Sequence, residues 1–210
     1  MNLARAVTAE DFVVPSAGMG KVQANVIGVI ENQAPTQHLQ LELASLDGQI
    51  PVDLAQDVAK VALVERHHGT GEVQVGFVHG FGLKVPCAIA STVAHDSHHL
   101  IVVGTDEVSM ALAANELASV GGGQIAVRDG NVLAMIELPI AGLMSDEPAA
   151  VVAKKMDAVL EAFRACGCTL NNANMQLSLL ALVVIPELRI SDKGIVDVTH
   201  GEVISLLASG

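Results

Sequence analysis

The chain has 210 residues, of which 51% are hydrophobic, so it is long enough and apolar enough for one domain with a substantial core. Its formal net charge is −12 and it contains no basic block, which argues against nucleic acid and anionic membrane surfaces as partners. It has no run of about 18 apolar residues, so we expect no membrane-spanning segment.

Two features favour a cytoplasmic location. The first five residues lack the apolar core of a secretory signal peptide. Three cysteines are an odd number, which makes reduced thiols the simplest expectation. Cys166 and Cys168 are separated by a single glycine, and we interpret them as small buried thiols rather than as metal ligands.

The first half of the chain predicts mainly strands. A short helical turn is expected at 8–11, and Asp53 is expected to cap another. Pro86 argues against a central strand at its position. Alternating or β-rich apolar patterns predict strands at 22–30, 39–43, 60–64 and 73–78, and a further apolar run, ending at Gly104, predicts a buried strand.

The second half predicts two helices and a hairpin. The first helix is expected to begin at Thr105 and to stop at 121–123, with Val108 on its buried stripe. The second runs from about Ser145 to Gly167. Between them, Asp129-Gly130 predicts a tight hairpin turn. The remaining predictions are a buried strand at 177–185, a loop or short strand at 191–198 and a terminal helix at 202–208.

Together these elements predict an α+β fold, a layered α/β sandwich with mixed or antiparallel sheets and a few covering helices. We expect a single domain over 1–210, in which residues 1–50 could form a leading β subdomain.

Polar residues are concentrated in two segments that adjoin apolar runs. The first histidine segment is 65–68, Glu-Arg-His-His, and the second is 95–99, His-Asp-Ser-His-His. Burying imidazoles and carboxylates is costly unless they pair with each other, bind backbone or hold a metal. We therefore predict that the two segments face each other in one site.

The residue types suggest roles in that site. Histidines with a carboxylate suit a divalent transition metal such as Zn, Mn or Fe, and a carboxylate in a partly dry site can act as a general base. The candidate metal ligands are His95, His98 and His99, the candidate catalytic groups are Glu65, Asp96 and His67, and the candidate substrate contacts are Arg66 and Ser91. The alternative is that the histidines bind loop backbone and that Glu65 and Arg66 form a surface pair worth ~0–1 kcal/mol.

Five motifs resemble the C-terminal region of bacterial adenine deaminases, and the resemblance extends from about Asn2 to about Val198. They are Glu-Arg-His-His-Gly-Thr-Gly at 65–71, Gly-Phe-Val-His-Gly-Phe-Gly-Leu at 76–83, Ile-Ala-Ser-Thr-Val-Ala-His-Asp-Ser-His at 89–98, Leu-Pro-Ile-Ala-Gly-Leu-Met-Ser at 138–145 and Val-Ile-Pro-Glu-Leu-Arg-Ile-Ser-Asp-Lys-Gly at 184–194. One departure is His99, where that family usually has Asn.

The resemblance implies two hypotheses. Those enzymes carry a metal-dependent amidohydrolase barrel ahead of this region, with a His-x-His pair on its first strand. This chain has no His-x-His and no room for a barrel of about 250 residues. The first and favoured hypothesis is a metal-dependent hydrolase acting on C–N bonds of a small adenine-like nitrogenous heterocycle. The second is a non-catalytic C-terminal subunit that docks on a separate amidohydrolase-barrel chain. A homo-oligomer is the other expected assembly.

Overall fold

A computed structural model describes residues 1, 3–16 and 18–208. Within them, short 3₁₀ turns occur at Ala9–Phe12 and Leu54–Gln56. The helices are α1 (Glu107–Ser119), α2 (Ala149–Ala165) and α3 (Ala173–Leu179). The strands are β1 (Gly20–Val29), β2 (Thr36–Ser45), β3 (Val58–Val64), β4 (Val73–His79), β5 (Cys87–Ser91), β6 (Leu100–Gly104), β7 (Gly123–Arg128), β8 (Asn131–Glu137), β9 (Leu188–Ser191), β10 (Gly194–Asp197) and β11 (Glu202–Ile204).

The first eight strands form one mixed sheet in the order β2-β1-β4-β3-β6-β5-β7-β8. In the part of the chain that the structure describes, the β1–β4 pair of this sheet is parallel and its other strand pairs are antiparallel. The last three strands form a small antiparallel sheet in the order β11-β10-β9. Every residue of β3 is buried, as expected for a central strand covered on both faces.

Side chains alternate between two cores on opposite faces of the large sheet. On one face, Val61 and Leu63 of β3 belong to a cluster that includes residues of α2, α3 and the small sheet. On the other face, Ala62 and Val64 join a cluster that includes residues of α1 and Phe12. The layers therefore confirm the predicted α+β sandwich with covering helices.

The predicted strands and the hairpin of the first two thirds are present. The turn Asp129-Gly130 joins β7 to β8, with Arg128 opposite Asn131. β1 and β2 are hydrogen-bonded to each other and, through β4, to the rest of the large sheet. The division into domains stays a prediction. In the described part of the chain, no helix combines the length and the apolar character that crossing a membrane needs.

Two predictions near the C-terminus are wrong. The run predicted as a strand at 177–185 is the end of α3 followed by turns. A short apolar run fits a buried helix as well as a buried strand, so the pattern alone does not decide. The segment predicted as a helix at 202–208 instead begins with β11, in which Ile204 pairs with Ile195 of β10, and continues without a helix to residue 208. Backbone pairing with the neighbouring strand β10 overrides the local helical preference of this segment.

The surroundings of β5 and α1 also differ in detail from the prediction. Pro86 directly precedes β5, a position that a strand tolerates, and β5 lies between β6 and β7. Asp106, not Thr105, caps α1 by accepting a bond from the Ser109 N–H at 2.8 Å. Val108 is 65% exposed, so the prediction that it lies on the buried stripe of α1 is wrong. The buried stripe of α1 is instead built from Met110, Ala113, Ala114 and Leu117.

Candidate functional site

The two histidine segments lie together because the strands beside them are neighbours. β3 pairs antiparallel with β6, and Val64 at the end of β3 is opposite Leu100 at the start of β6. Residues that follow β3 therefore meet residues that precede β6. The ring centroids of His67 and His99 are 4.7 Å apart, and Glu65 Oε1 is 3.9 Å from His99 Nδ1.

Glu65 uses its carboxylate to fix the loop that follows it. Oε1 accepts bonds from the backbone N–H groups of His67 and His68, and Oε2 accepts the N–H of Thr70 at 3.0 Å. Burial by itself raises the pKa of this carboxyl, but the N–H groups of His68, Thr70 and His67 together lower it to about 2. Such a carboxylate is a weak base, whereas a general base works best with a pKa near the operating pH.

Arg66 also binds backbone. Its Nε donates to the carbonyl of His98, and its Nη2 donates to the carbonyl of Ala141 at 2.9 Å. The side chain is buried, and burial lowers the pKa of the guanidinium. Glu65 and Arg66 thus each stabilise a loop and tie 65–68 to 95–99 and to the turn after β8.

The four imidazoles, His67, His95, His98 and His99, form what we call the histidine face. They pair as His67 with His99 and as His95 with His98, whose ring centroids are 5.7 Å apart. His67 Nε2 lies 2.7 Å from the Ser97 carbonyl, so it carries the proton and donates.

Two imidazoles of the histidine face have a buried nitrogen without a hydrogen-bond partner. These atoms are Nδ1 of His98 and Nδ1 of His99. Burial lowers the pKa of both side chains, helped by the neighbouring His95 for His98 and by His67 for His99. Both rings are therefore neutral near neutral pH, and each keeps one buried nitrogen whose hydrogen-bonding capacity is unused.

The predicted metal ligands do not converge as a set of three. His98 is directed to His95, whereas His99 is directed to His67. Among residues 1, 3–16 and 18–208, no group of three or more His, Cys, Asp or Glu side chains is arranged to hold a metal ion. The assignment of His95, His98 and His99 as ligands stays a prediction.

The other candidates occupy different environments. The Asp96 side chain is 77% exposed and lies 4.0 Å from His95 Nδ1. Ser91 is buried at the end of β5, where its hydroxyl accepts the N–H of Val93 at 2.9 Å. A catalytic role for Asp96 and a substrate contact for Ser91 both stay predictions.

Sequence reasoning missed the turn after β8 as part of this site. Gly142 has a φ of +73°, and a Cβ there would lie 2.8 Å from Nη1 of Arg66. The Gly142 carbonyl accepts a bond from the Thr92 hydroxyl at 2.6 Å. The available signal was the motif at 138–145, whose glycine suits a left-handed turn, but its partner Arg66 is 75 residues away from Ala141.

Comparison with known proteins gives a consistent assignment. The family model described as adenine deaminase C-terminal domain matches residues 33–202. The chain is 60% identical to an adenine deaminase of Ruegeria pomeroyi over 99% of its own length and 35% of that protein. It is 57% identical to adenine deaminase 3 of Rhizobium meliloti, over 96% of the chain and 34% of the relative. It is 49% identical to an adenine deaminase of Moorella thermoacetica, over 91% of the chain and 32% of the relative.

These matches span nearly the whole chain but only about a third of the length of the curated relatives. The five motifs noted in the sequence and the histidine face all lie within the matched region. The chain therefore belongs to the adenine deaminase C-terminal domain family.

Proposed function

We propose that this chain acts as the C-terminal part of an adenine deaminase and places its histidine face beside the active site of a catalytic part. Adenine deamination forms a C–O bond from water, breaks the exocyclic C–N bond and releases ammonia. The catalytic part corresponds to the roughly two thirds of the relatives that the chain does not match, on the same or a separate polypeptide.

The observation that carries this proposal is the state of Glu65. Both of its carboxylate oxygens accept backbone N–H groups, and its pKa is about 2. The best proton-transfer candidate of the chain is therefore used to hold a loop. What remains on this face is a set of imidazoles, two of which are neutral and have a buried Nδ1 without a hydrogen-bond partner.

Neutral imidazoles suit a neutral substrate such as adenine. Each ring can donate through one nitrogen and accept through the other, which matches the alternating donors and acceptors on a purine edge. A net charge of −12 does not oppose an uncharged base. We infer that His98 and His99 contact the substrate or the loop that covers it.

The second candidate function is the metal-dependent hydrolase within this chain. It needs Zn, Mn or Fe on His95, His98 and His99, with Glu65, Asp96 or His67 moving protons. The contact between the two histidine segments favours it. The separation of the ligands into two pairs and the engagement of Glu65 favour the first proposal.

A chimera tests the first proposal. The C-terminal third of the Ruegeria pomeroyi enzyme is replaced by this chain, and ammonia release from adenine is measured. We expect an active chimera, in which His99→Ala lowers kcat/KM by at least about tenfold, equivalent to about 1.4 kcal/mol. His200→Ala, on the exposed turn between β10 and β11, is the matched control and should leave kcat/KM unchanged.

Thermal unfolding of each variant shows whether the fold is retained. A folded His99→Ala chimera that keeps the parent rate would overturn the role of the histidine face. A cytoplasmic location and assembly with a catalytic chain or with further copies belong to the same proposal, and size-exclusion chromatography of the mixture measures the assembly.

A further inference from the structure

The turn after β8 presents two large apolar side chains to solvent. We call residues 140–144 the apolar turn. The Ile140 N–H donates to the Met144 carbonyl at 3.1 Å, and the Met144 N–H donates to the Ile140 carbonyl at 3.1 Å. This closes a tight loop on which Ile140 is 46% exposed and Met144 is 58% exposed. The two side chains form one exposed apolar tip.

The fold holds this turn rigidly. Arg66 donates to the Ala141 carbonyl, and Thr92 donates to the Gly142 carbonyl. The backbone also packs closely behind the turn, because a Cβ on Gly122 would lie 2.5 Å from Gly142 Cα. These contacts fix the position of the turn relative to the sheet.

The turn also contains a locally unfavourable conformation. Ala141 has a φ of +59°, in the left-handed region. Outside glycine, asparagine and aspartate that conformation costs roughly 1–2 kcal/mol. Exposed apolar side chains held on strained, well-supported backbone are typical of a recognition loop.

The apolar turn borders the histidine face. The guanidinium of Arg66 that binds the Ala141 carbonyl also binds the His98 carbonyl, so one side chain joins the two. The apolar turn and the histidine segment 95–99 are therefore neighbours in the fold.

We propose that the apolar turn is the anchor by which this chain docks onto the catalytic part of adenine deaminase, with Ile140 and Met144 filling an apolar recess there. This inference rests on the proposed function. The occupant follows from two observations: about two thirds of each relative lies outside the matched region, and the turn adjoins the face assigned to the active site. A single partner surface that extends over both neighbours fits these two observations.

Hydroxyl-radical footprinting tests the anchor without relying on catalysis. Oxidation of Met144 is compared between the isolated chain and the chimera, with Met19, 80% exposed, as the internal reference. We expect Met144 to be oxidised several-fold more slowly in the chimera and at an unchanged rate in the isolated chain as its concentration is raised. Equal oxidation in the chimera and the isolated chain would overturn the proposal. Protection that appears with concentration in the isolated chain would assign the turn to a second copy instead.

Paired substitutions give a second test. Ile140→Asp with Met144→Asp should change the thermal midpoint of the isolated chain only slightly, because both side chains are about half exposed to water. In the chimera the same change should lower the thermal midpoint and kcat/KM. Val108→Asp, on α1 and 65% exposed, is the matched control and should affect neither. A chimera in which the double variant behaves like Val108→Asp contradicts the anchor.

The outcomes separate the two proposals. Protection of Met144 with no effect of His99→Ala leaves the anchor standing and removes the histidine role. Loss of activity in His99→Ala with Met144 still exposed leaves the histidine role standing and removes the anchor. A chimera that fails to fold, where the parent enzyme folds, counts against docking through this turn, since the surfaces would not match.

Discussion

Glu65 illustrates how a buried carboxylate in this chain serves loop geometry. Its residue surface is 3% exposed, and its oxygens bind three backbone N–H groups within the next five residues. The sequence predicted a proton-transfer group from the residue type and the neighbouring histidines. It could not show that the backbone turns back onto the carboxylate, because that depends on φ and ψ values at Gly69 and its neighbours.

Glu65→Gln should lower the free energy of unfolding by roughly 1–3 kcal/mol, because the amide keeps the shape of the side chain but loses the charge that accepts the N–H bonds. Urea denaturation near neutral pH measures the change. Glu161→Gln, on an exposed position of α2, is the control and should change little. Equal stability of the two variants would show that the N–H bonds of Glu65 contribute nothing net.

The same carboxyl predicts an acid dependence. Its pKa is about 2 in the folded chain against an ordinary 4.5, so the folded state favours the charged form. The stabilisation is therefore complete above about pH 5 and is lost as pH falls from there toward 2. A shift of this size corresponds to about 3 kcal/mol. The free energy of unfolding of Glu65→Gln should consequently fall less steeply with decreasing pH over this range than that of the unchanged chain. Parallel pH curves for the two proteins would contradict this prediction.

Among the elements, the segment from α3 to β9 differs most from the prediction. The run at 177–185 is apolar enough for a strand, but a buried arginine organises it as a helix end and turns. Arg189 donates to the carbonyls of Ile185 at 2.8 Å, Leu179 at 2.7 Å and Ala34 at 2.5 Å. The Ala34 carbonyl is 155 residues away from Arg189 along the chain, so local pattern could not predict that it shares a donor with the other two.

Arg189→Met should therefore lower stability by roughly 3–5 kcal/mol, since it leaves several buried carbonyls without a donor. Arg164→Met, exposed on α2, should have little effect. Thermal unfolding of both variants measures the difference. A loss of less than about 1 kcal/mol for Arg189→Met would mean that water replaces the guanidinium.

Gly142 of the apolar turn has a matched control in Gly130 of the turn between β7 and β8. Gly142 and Gly130 have φ values of +73° and +72°, but a Cβ at Gly142 meets the Arg66 guanidinium whereas one at Gly130 meets nothing within 4 Å. Both Ala variants bear the left-handed strain, and Gly142→Ala should lose roughly 1–2 kcal/mol more because Arg66 must move. Denaturation curves of the two variants give the difference. Identical losses would show that Arg66 yields without cost.

At the scale of the whole molecule, pattern and pairing together explain how the site is assembled. Apolar runs predicted both β3 and β6, and their antiparallel pairing brings 65–68 against 95–99. The large-sheet order, with β4 between β1 and β3, could not be predicted because it depends on long connections. Likewise, the five motifs predicted the family, whereas the pairing of His67 with His99 required the structure.

The central claim is that this chain contributes to adenine deamination only together with a catalytic part. The most direct measurement is ammonia release from adenine by the purified chain alone, supplemented in turn with Zn²⁺, Mn²⁺ and Fe²⁺, beside the chimera at equal concentration. The account predicts turnover by the chimera and none by the chain alone with any metal. Metal-dependent turnover by the chain alone that is lost in a folded His95→Ala variant would contradict it.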